Sequence, residues 1–162
     1  MTPLTIESIV RTLDLTPLPQ EGGLFRETYR SPITLSGGSR SLATAIYYLI
    51  TPEHFSTMHR VRGDEVFHFY LGDPVEMLML QADGRGEVVT LGTDLFAGMR
   101  PQVVVPGGVW QGSRLRYGGS FSLLGTTMAP GFDIADFEVA DRAKLRAQFP
   151  AFARAIECLT RA

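Results

Sequence analysis

A histidine and a glutamate stand on either side of a short turn in a β-rich part of this sequence. His59 precedes the turn Arg62-Gly63-Asp64, and Glu65 follows it. Side chains alternate between the two faces of a strand, so Glu65 shares a face with Phe67 and Phe69. If both strands turn these faces inward, an imidazole and a carboxylate meet inside an aromatic-lined barrel. Such a pair can carry out acid–base chemistry or bind a metal ion.

Other polar side chains could complete a site around this pair. The amide of Gln111 can both donate and accept a hydrogen bond toward a ligand. The phenol of Tyr48 is a candidate general acid. Arg26, which shares a strand face with Arg30, could bind an anionic substrate because guanidinium groups suit carboxylates and phosphates. Each also has an ordinary explanation, since the amide could bond to loop backbone and the arginines could lie on a solvated face.

The aromatic residues after the turn are predicted to alternate between two environments. Phe67 and Phe69 could form walls of a ligand pocket, although aromatic residues at this spacing are more often ordinary core. His68 lies between them and has the opposite parity. It is therefore expected to face away from the pocket, toward a dimer interface or beneath the N-terminal segment, unless a β-bulge at Gly63 reverses the assignment.

The elements that position these residues are short strands separated by glycine-rich turns. The predicted strands are Leu24–Arg30, Ser41–Ile50, Phe55–Val61, Glu65–Leu71, Val75–Gln81, Gly86–Leu91, Gln102–Val105, Val109–Leu115 and Gly119–Thr127. Many short strands at this spacing predict an all-β sandwich or barrel. A jelly roll is one standard way to arrange such strands without leaving long open edges.

Helical patterns precede and follow the strands. Thr2-Pro3 is typical of a helix start, and apolar residues then fall on one face of a helix over residues 3–13. A second helical pattern covers residues 136–149, and Pro150 closes it and opens another that extends to residue 160. Without an internal repeat or linker, the sequence predicts one domain over residues 1–162, with its barrel at about residues 24–128.

Composition restricts the classes of function. The net charge of −2 with no basic run argues against nucleic-acid binding. Cys158 is the only cysteine, so no intrachain disulfide can form. The longest apolar-rich run, Leu42–Ile50, is too short to span a bilayer, and no signal segment is evident, so a cytoplasmic protein without a membrane partner is expected. Serine-hydrolase elbows, phosphate loops and dinucleotide fingerprints are absent from the sequence.

Two segments resemble the paired sequence motifs of the cupin superfamily, whose small β-barrels hold a metal or a small ligand. In the first segment His59, Glu65 and Gly72 stand at the positions of the first histidine, the glutamate and the glycine. In the second, Pro106 and Gly108 match the proline and glycine. The resemblance implies a double-stranded β-helix, which is the cupin jelly-roll barrel, with short N- and C-terminal helices.

The ligand positions of these motifs are only partly filled. Val61 stands where the second histidine belongs, and Gln111 stands where the histidine of the second motif belongs. The candidate metal ligands are therefore His59, Glu65 and Gln111, a set with one imidazole fewer than a two-histidine–one-carboxylate site. A first-row metal normally takes three or four good protein ligands, so a metal-free pocket is favoured over a divalent metal cofactor.

Longer runs resemble the fifth cupin subfamily, which lacks an established function. These runs are Glu21–Ser31, Asp64–Tyr70 and Ala129–Asp133. The resemblance covers nearly the whole chain and implies a homodimer. It also implies kinship with sugar-nucleotide epimerases, auxin-binding proteins and storage globulins, whose functions do not transfer on fold alone.

Three hypotheses of function remain open from the sequence. The favoured one is a protein that binds a small polar metabolite inside the barrel, through Glu65, Gln111 and neighbouring side chains. The second is a metal-independent isomerase or epimerase acting on a sugar-nucleotide-like substrate, with His59 as base and Tyr48 as acid. The third is a metal-dependent oxygenase or lyase that uses the three candidate metal ligands.

Overall fold

The computed structural model describes residues 4–161 and consists mainly of two antiparallel sheets. The strands are β1 (Thr16–Pro17), β2 (Leu24–Arg30), β3 (Thr44–Ile50), β4 (Ser56–Arg60), β5 (Glu65–Gly72), β6 (Val75–Leu80), β7 (Gly86–Leu91), β8 (Gln102–Val105), β9 (Trp110–Leu115), β10 (Ser122–Met128) and β11 (Glu138–Val139). One sheet has the order β1-β2-β3-β10-β5-β8, and the other has the order β11-β4-β9-β6-β7. This is the predicted jelly-roll arrangement, and all the strands predicted from sequence are present.

The strand β6 shows why the sheets pack as they do. Val75, Met77 and Met79 alternate with Leu78 and Leu80. The first three side chains belong to the core between the sheets, and the two leucines belong to a second core on the outer face. A strand that is buried on both faces reads as a nearly continuous apolar run, as this one does.

Three short α-helices among the described residues cover the outer faces of the sheets. They are α1 (Ile6–Leu13), α2 (Arg142–Gln148) and α3 (Ala153–Cys158). Ile9 of α1 packs on the six-stranded sheet, while α2 and α3 pack on the five-stranded sheet. No helix of residues 4–161 is long and apolar enough to cross a membrane.

The start of the first helix differs from the sequence prediction. Thr5 is its N-cap, and Thr5 and Ser8 form a reciprocal capping box, so the helix begins at Ile6. The predicted start at Thr2-Pro3 lies outside the described residues.

The predicted helix over residues 136–149 is wrong in its first part. Residues 138–139 form β11, which pairs antiparallel with β4, and α2 begins only at Arg142 after the N-cap Asp141. The open edge of β4 offers backbone partners that a helix at this point would leave unpaired. Val139, an apolar residue within the predicted helix, is 42% exposed. This short strand brings the segment before it over the end of the barrel.

Candidate functional site

A small cavity lies at one end of the barrel core. Its volume is about 70 Å³, which is room for a few water molecules or a few non-hydrogen atoms of a ligand. Side chains from both sheets and from two loops line it: Leu18, Glu21, Phe25, Glu27, Thr44, Ile46, His59, Val61, Glu65, Thr126, Met128 and Phe132. Half of these residues are apolar and half are polar, so the cavity combines apolar walls with several hydrogen-bonding groups.

The imidazole of His59 is buried in this cavity with a defined tautomer. It is 2% exposed, and its Nδ1 lies 2.8 Å from the carbonyl oxygen of Thr57. A carbonyl oxygen can only accept a hydrogen bond, so Nδ1 carries the proton and Nε2 of the neutral ring has a free lone pair. The Phe137 ring stacks on the imidazole at 5.1 Å between centroids and fixes its plane. The geometry therefore presents a hydrogen-bond acceptor, or a base, at Nε2.

Glu21 approaches His59 from the loop that precedes β2. Its Oε2 lies 3.9 Å from Nε2 of His59, and its Oε1 accepts a hydrogen bond of 2.9 Å from the Ser56 hydroxyl. The Glu21 carbonyl also accepts a 2.9 Å bond from the backbone N–H of Thr57. This residue was not predicted as part of the site, although it opens the Glu21–Ser31 run that resembles the subfamily.

The loop around Glu21 has a backbone that only glycine tolerates easily. Gly22 and Gly23 have φ angles of 99° and 74°. A Cβ on Gly23 would lie 2.4 Å from the Tyr48 ring, so the loop packs directly on that ring. The Tyr48 hydroxyl donates a 2.9 Å hydrogen bond to the Gly22 carbonyl. Tyr48 thus supports the loop that carries Glu21.

Glu65 lies at the start of β5, across the cavity from the loop. It is 9% exposed, and its Oε2 accepts a 2.7 Å hydrogen bond from the Gln111 amide. Gln111 pairs with His59 between β9 and β4, so the two motif residues sit side by side. The other amide atom of Gln111, Oε1, is buried without a hydrogen-bond partner among the described residues.

The surroundings of Glu65 favour its protonated form. Burial in the barrel raises the pKa of Glu65 to about 7, and the nearby Glu21 carboxylate adds to the increase. His59, the Gln111 amide and the Thr126 hydroxyl act in the opposite direction and lower it. Near neutral pH, Glu65 can therefore exchange a proton with a ligand in the cavity.

The mouth of the cavity is framed by an ion pair and an aromatic ring. A bulge at Thr28 in β2 brings Glu27 and Arg30 together, and Arg30 binds the Glu27 carboxylate with two hydrogen bonds of 2.7 and 2.8 Å. Arg30 also donates to the carbonyl of Phe132, whose side chain lines the cavity. Phe132 belongs to the Ala129–Asp133 run that resembles the subfamily, whereas Phe137 was not predicted because it lies in the segment expected to form a helix over residues 136–149.

Several residues proposed from the sequence lie elsewhere. Tyr48 and Phe67 are fully buried in the barrel core, and Phe69 packs against the same core. Burial above all raises the pKa of the Tyr48 hydroxyl well above its usual range. Arg26 is exposed on the outer face, where it donates to the Leu13 carbonyl of α1. None of these four side chains lines the cavity.

His68 faces away from the cavity. It is half-buried on the outer face of the six-stranded sheet, with Nδ1 3.3 Å from the Gln102 amide and Nε2 3.3 Å from the Thr127 hydroxyl. Its ring stacks on Tyr70, which lies across Gly125. The strand parity of β5 accounts for this orientation.

The residues present do not fit a metal ion at the cupin ligand positions. Val61 contributes an apolar wall where a histidine would be a ligand, and the Gln111 amide N–H is directed at Glu65. Among residues 4–161, no three His, Cys, Asp or Glu side chains come together in a way that could hold a metal. A stable metal site normally needs at least three such donors, so the chemistry available here is that of hydrogen bonds and proton transfer.

Comparison with known proteins assigns the family. Residues 7–140 match the sequence model of Cupin_5, described as Cupin superfamily (DUF985). The chain belongs to this family. Over 133 residues this cupin is 32% identical to the uncharacterized protein YML079W of Saccharomyces cerevisiae (strain ATCC 204508 / S288c), a match that covers 72% of this chain and 66% of the yeast protein.

Solved structures extend the likeness over the whole cupin chain. Protein SO0799 from Shewanella oneidensis is 34% identical with a TM-score of 0.91, covering 98% of this chain and 99% of that one. A hypothetical protein from Leishmania major is 30% identical with a TM-score of 0.91, covering 98% and 100%. Oxalate decarboxylase from Bacillus subtilis shares the fold alone, at 14% identity and a TM-score of 0.55 over 90% of this chain and 37% of that one.

Proposed function

We propose that this cupin binds a small polar molecule in the cavity between His59 and Glu65. The observation that carries the proposal is the cavity of about 70 Å³ bordered by the His59 imidazole, whose side chain is 2% exposed and whose Nε2 lies 3.9 Å from Oε2 of Glu21, beyond hydrogen-bond distance. Buried polar groups are normally hydrogen-bonded, so a ligand or ordered water is expected to bond to Nε2. Apolar walls with a few convergent polar groups are typical of small-molecule sites.

The two alternatives from the sequence have weaker support. An isomerase that pairs His59 with Tyr48 needs both groups on the substrate, but the Tyr48 hydroxyl donates to Gly22 and its side chain does not line the cavity. A metal-dependent oxygenase or lyase needs a donor set that the cavity residues do not supply. Binding of a small molecule requires neither.

The proposal can be tested by filling the cavity. Val61→Phe places a ring among the lining residues, whereas Val104→Phe makes the same change on the outer face, where Val104 is 51% exposed. Each protein is mixed with the small-molecule filtrate of a cell extract, recovered by gel filtration and denatured, and the released compounds are identified by mass spectrometry. We expect a compound that the wild type and Val104→Phe retain and Val61→Phe loses. Retention of the same compounds by all three proteins, or of none, would contradict the proposal.

We also propose, from the family resemblance, that the cupin acts as a cytoplasmic homodimer. Light scattering of the protein, whose chain mass is 17.8 kDa, measures the oligomeric state directly. A mass of one chain at all concentrations would remove the dimer from the proposal without affecting the cavity.

A further inference from the structure

The charges around the cavity are strongly one-sided. Glu21, Glu27 and Glu65 line it, and of the described residues that do so none is lysine or arginine. Arg30, which lies at the mouth, is engaged with the Glu27 carboxylate. Inside the mouth, therefore, a ligand meets three carboxyl groups and one imidazole as the ionisable groups of the described lining residues.

The hydrogen-bonding groups of the cavity are also of one kind. In the neutral tautomer of His59 whose Nδ1 donates to Thr57, Nε2 offers a lone pair. The carboxyl oxygens of Glu21 and Glu65 are acceptors when ionised. A ligand that reaches these atoms therefore satisfies them best by donating several hydrogen bonds from one group.

We propose that the ligand of this site is a small organic cation, whose ammonium group is held by Glu21, His59 and Glu65 while its alkyl part packs on the apolar walls. This inference rests on the proposed binding function and names its ligand class. A primary ammonium group has three donors, which matches the three acceptors that face the cavity. The hydrocarbon part would lie against side chains such as Phe25, Ile46 and Met128.

An anionic ligand is disfavoured by the same geometry. A carboxylate or phosphate placed beside His59 would lie close to the Glu21 carboxylate, whose Oε2 is 3.9 Å from Nε2 of that imidazole. Like charges at such distances repel each other, and more strongly in a partly buried site than in bulk water. Lysine and arginine are absent from the described lining residues, so no permanently charged cation there offsets this repulsion. A nucleotide-like substrate therefore does not fit the interior.

A matched series of probes tests the charge of the ligand. Propylammonium, n-propanol and propionate have similar size and differ in charge, and each is titrated at one ionic strength into protein with isotope-labelled methionine methyl groups. The Met128 signal reports occupancy, since Met128 lines the cavity. Probes this small bind weakly, with dissociation constants on the order of 1 mM, which the titration can measure. We expect propylammonium to bind about tenfold more tightly than n-propanol, because charge-assisted hydrogen bonds are the stronger ones.

Three isosteric variants locate the effect. Glu21→Gln and Glu65→Gln are expected to weaken propylammonium binding about tenfold while n-propanol binding stays within about twofold. Glu87→Gln, which removes an exposed carboxylate of β7 outside the cavity, should leave both affinities unchanged. Retained n-propanol binding shows that each variant is folded with its cavity open.

The outcomes separate the two proposals. Binding of n-propanol or propionate at least as tight as that of propylammonium would overturn the cation inference and leave the binding function in place. The same holds if propylammonium binding is unaffected in Glu21→Gln and Glu65→Gln. If none of the three probes shifts the Met128 signal at concentrations well above 1 mM, the cavity does not take small molecules and both proposals fail.

Discussion

Glu65 holds a carboxyl group in a place where its charge is costly. Burial raises the pKa of Glu65 to about 7, and the neighbouring Glu21 carboxylate pushes it in the same direction. The Gln111 amide stabilises the ionised form through a 2.7 Å hydrogen bond, but only partly. Near neutral pH this carboxyl group can hold or release one proton. A cationic group of a ligand that takes the place of this proton would relieve the repulsion between Glu65 and Glu21.

The raised pKa predicts how stability depends on pH. An acid whose pKa is higher in the folded state binds its proton more tightly when folded, so the folded state loses stability as pH rises from the ordinary value of 4.5 to about 7. The loss amounts to roughly 3 kcal/mol once the group is fully ionised. In Glu65→Gln this loss disappears, so the variant should gain stability relative to wild type as pH rises.

Urea unfolding of both proteins between about pH 5 and pH 8 measures this difference. Glu87→Gln is the control, because the Glu87 side chain is exposed. The stability of this variant should depend on pH in the same way as that of the wild type. A constant stability difference between wild type and Glu65→Gln over that range would show that the carboxyl titrates with its ordinary pKa.

The residues of the site were predictable to different degrees. His59 and Glu65 belong to regular strands, where parity decides the face of each side chain, and both line the cavity. Parity also assigned His68 to the outer face. It could not identify Glu21, since that residue comes from a loop with φ angles above zero, nor Phe137, whose position depends on a two-residue strand. Tyr48 has the same parity as the lining residue Ile46 but lies farther along β3.

At the level of elements, the loop before β2 has a strict steric requirement. Gly23 and Gly37 both have positive φ angles, of 74° and 81°, but a Cβ collides with the Tyr48 ring only at Gly23. Gly37→Ala should therefore cost about 1 kcal/mol, for backbone strain alone. Gly23→Ala should cost about 3 kcal/mol or more, because the loop or the ring must also move.

The free energies of unfolding of the two alanine variants, measured by urea titration, decide this prediction. The Gly23 variant should also weaken binding at the cavity, since the displaced loop carries Glu21. Equal losses of stability in the two variants would mean that the contact between the loop and Tyr48 is not a constraint.

The segment between β10 and α2 is held over the barrel by buried polar contacts. Arg40 donates to the Gly131 carbonyl at 3.0 Å and pairs with Asp136, whose side chain is only 9% exposed. Arg40→Met should destabilise the protein by about 1–3 kcal/mol, because it leaves a buried carboxylate with poorer partners. Hydrogen exchange at the Phe132 amide should become faster, since this amide donates to Thr44 in the held segment.

Arg60→Met is the matched control for Arg40→Met. Arg60 pairs with Glu138 at 2.7 Å, but the two side chains are 41% and 53% exposed. An exposed pair contributes about 0–1 kcal/mol, and the Arg60 guanidinium over the Trp110 ring contributes about as much, so this variant should lose less stability than Arg40→Met and keep nearly wild-type exchange at Phe132. Similar exchange rates at Phe132 in both arginine variants would argue against a specific role for Arg40.

Over the whole molecule, the barrel was more predictable than the segment that follows β10. Strands with alternating apolar residues and glycine-rich turns follow one another along the barrel. The pattern of each strand indicates a buried face that is consistent with those of its neighbours. The C-terminal segment has no such redundancy. Its apolar pattern fits a helix locally, but residues 138–139 instead pair with the open edge of β4. The spacing of apolar residues along the chain contains no information about such pairing with a distant strand.

The five-stranded sheet separates the cavity from a second core, which predicts that the two can be perturbed independently. Phe149 is 2% exposed and packs with Leu80 and Ile156 on the outer face of that sheet, away from the lining residues. Phe149→Ala should cost about 3–5 kcal/mol in urea unfolding, because it leaves a void among helices and sheet. At a low temperature at which Phe149→Ala stays folded, propylammonium should still bind within about twofold of its wild-type affinity, since no cavity contact is lost.

Phe96→Ala is the control, because it removes a ring that is fully exposed. It should change neither the free energy of unfolding nor the affinity for propylammonium measurably. Loss of probe binding in folded Phe149→Ala would show that the helices help to shape the cavity through the sheet between them.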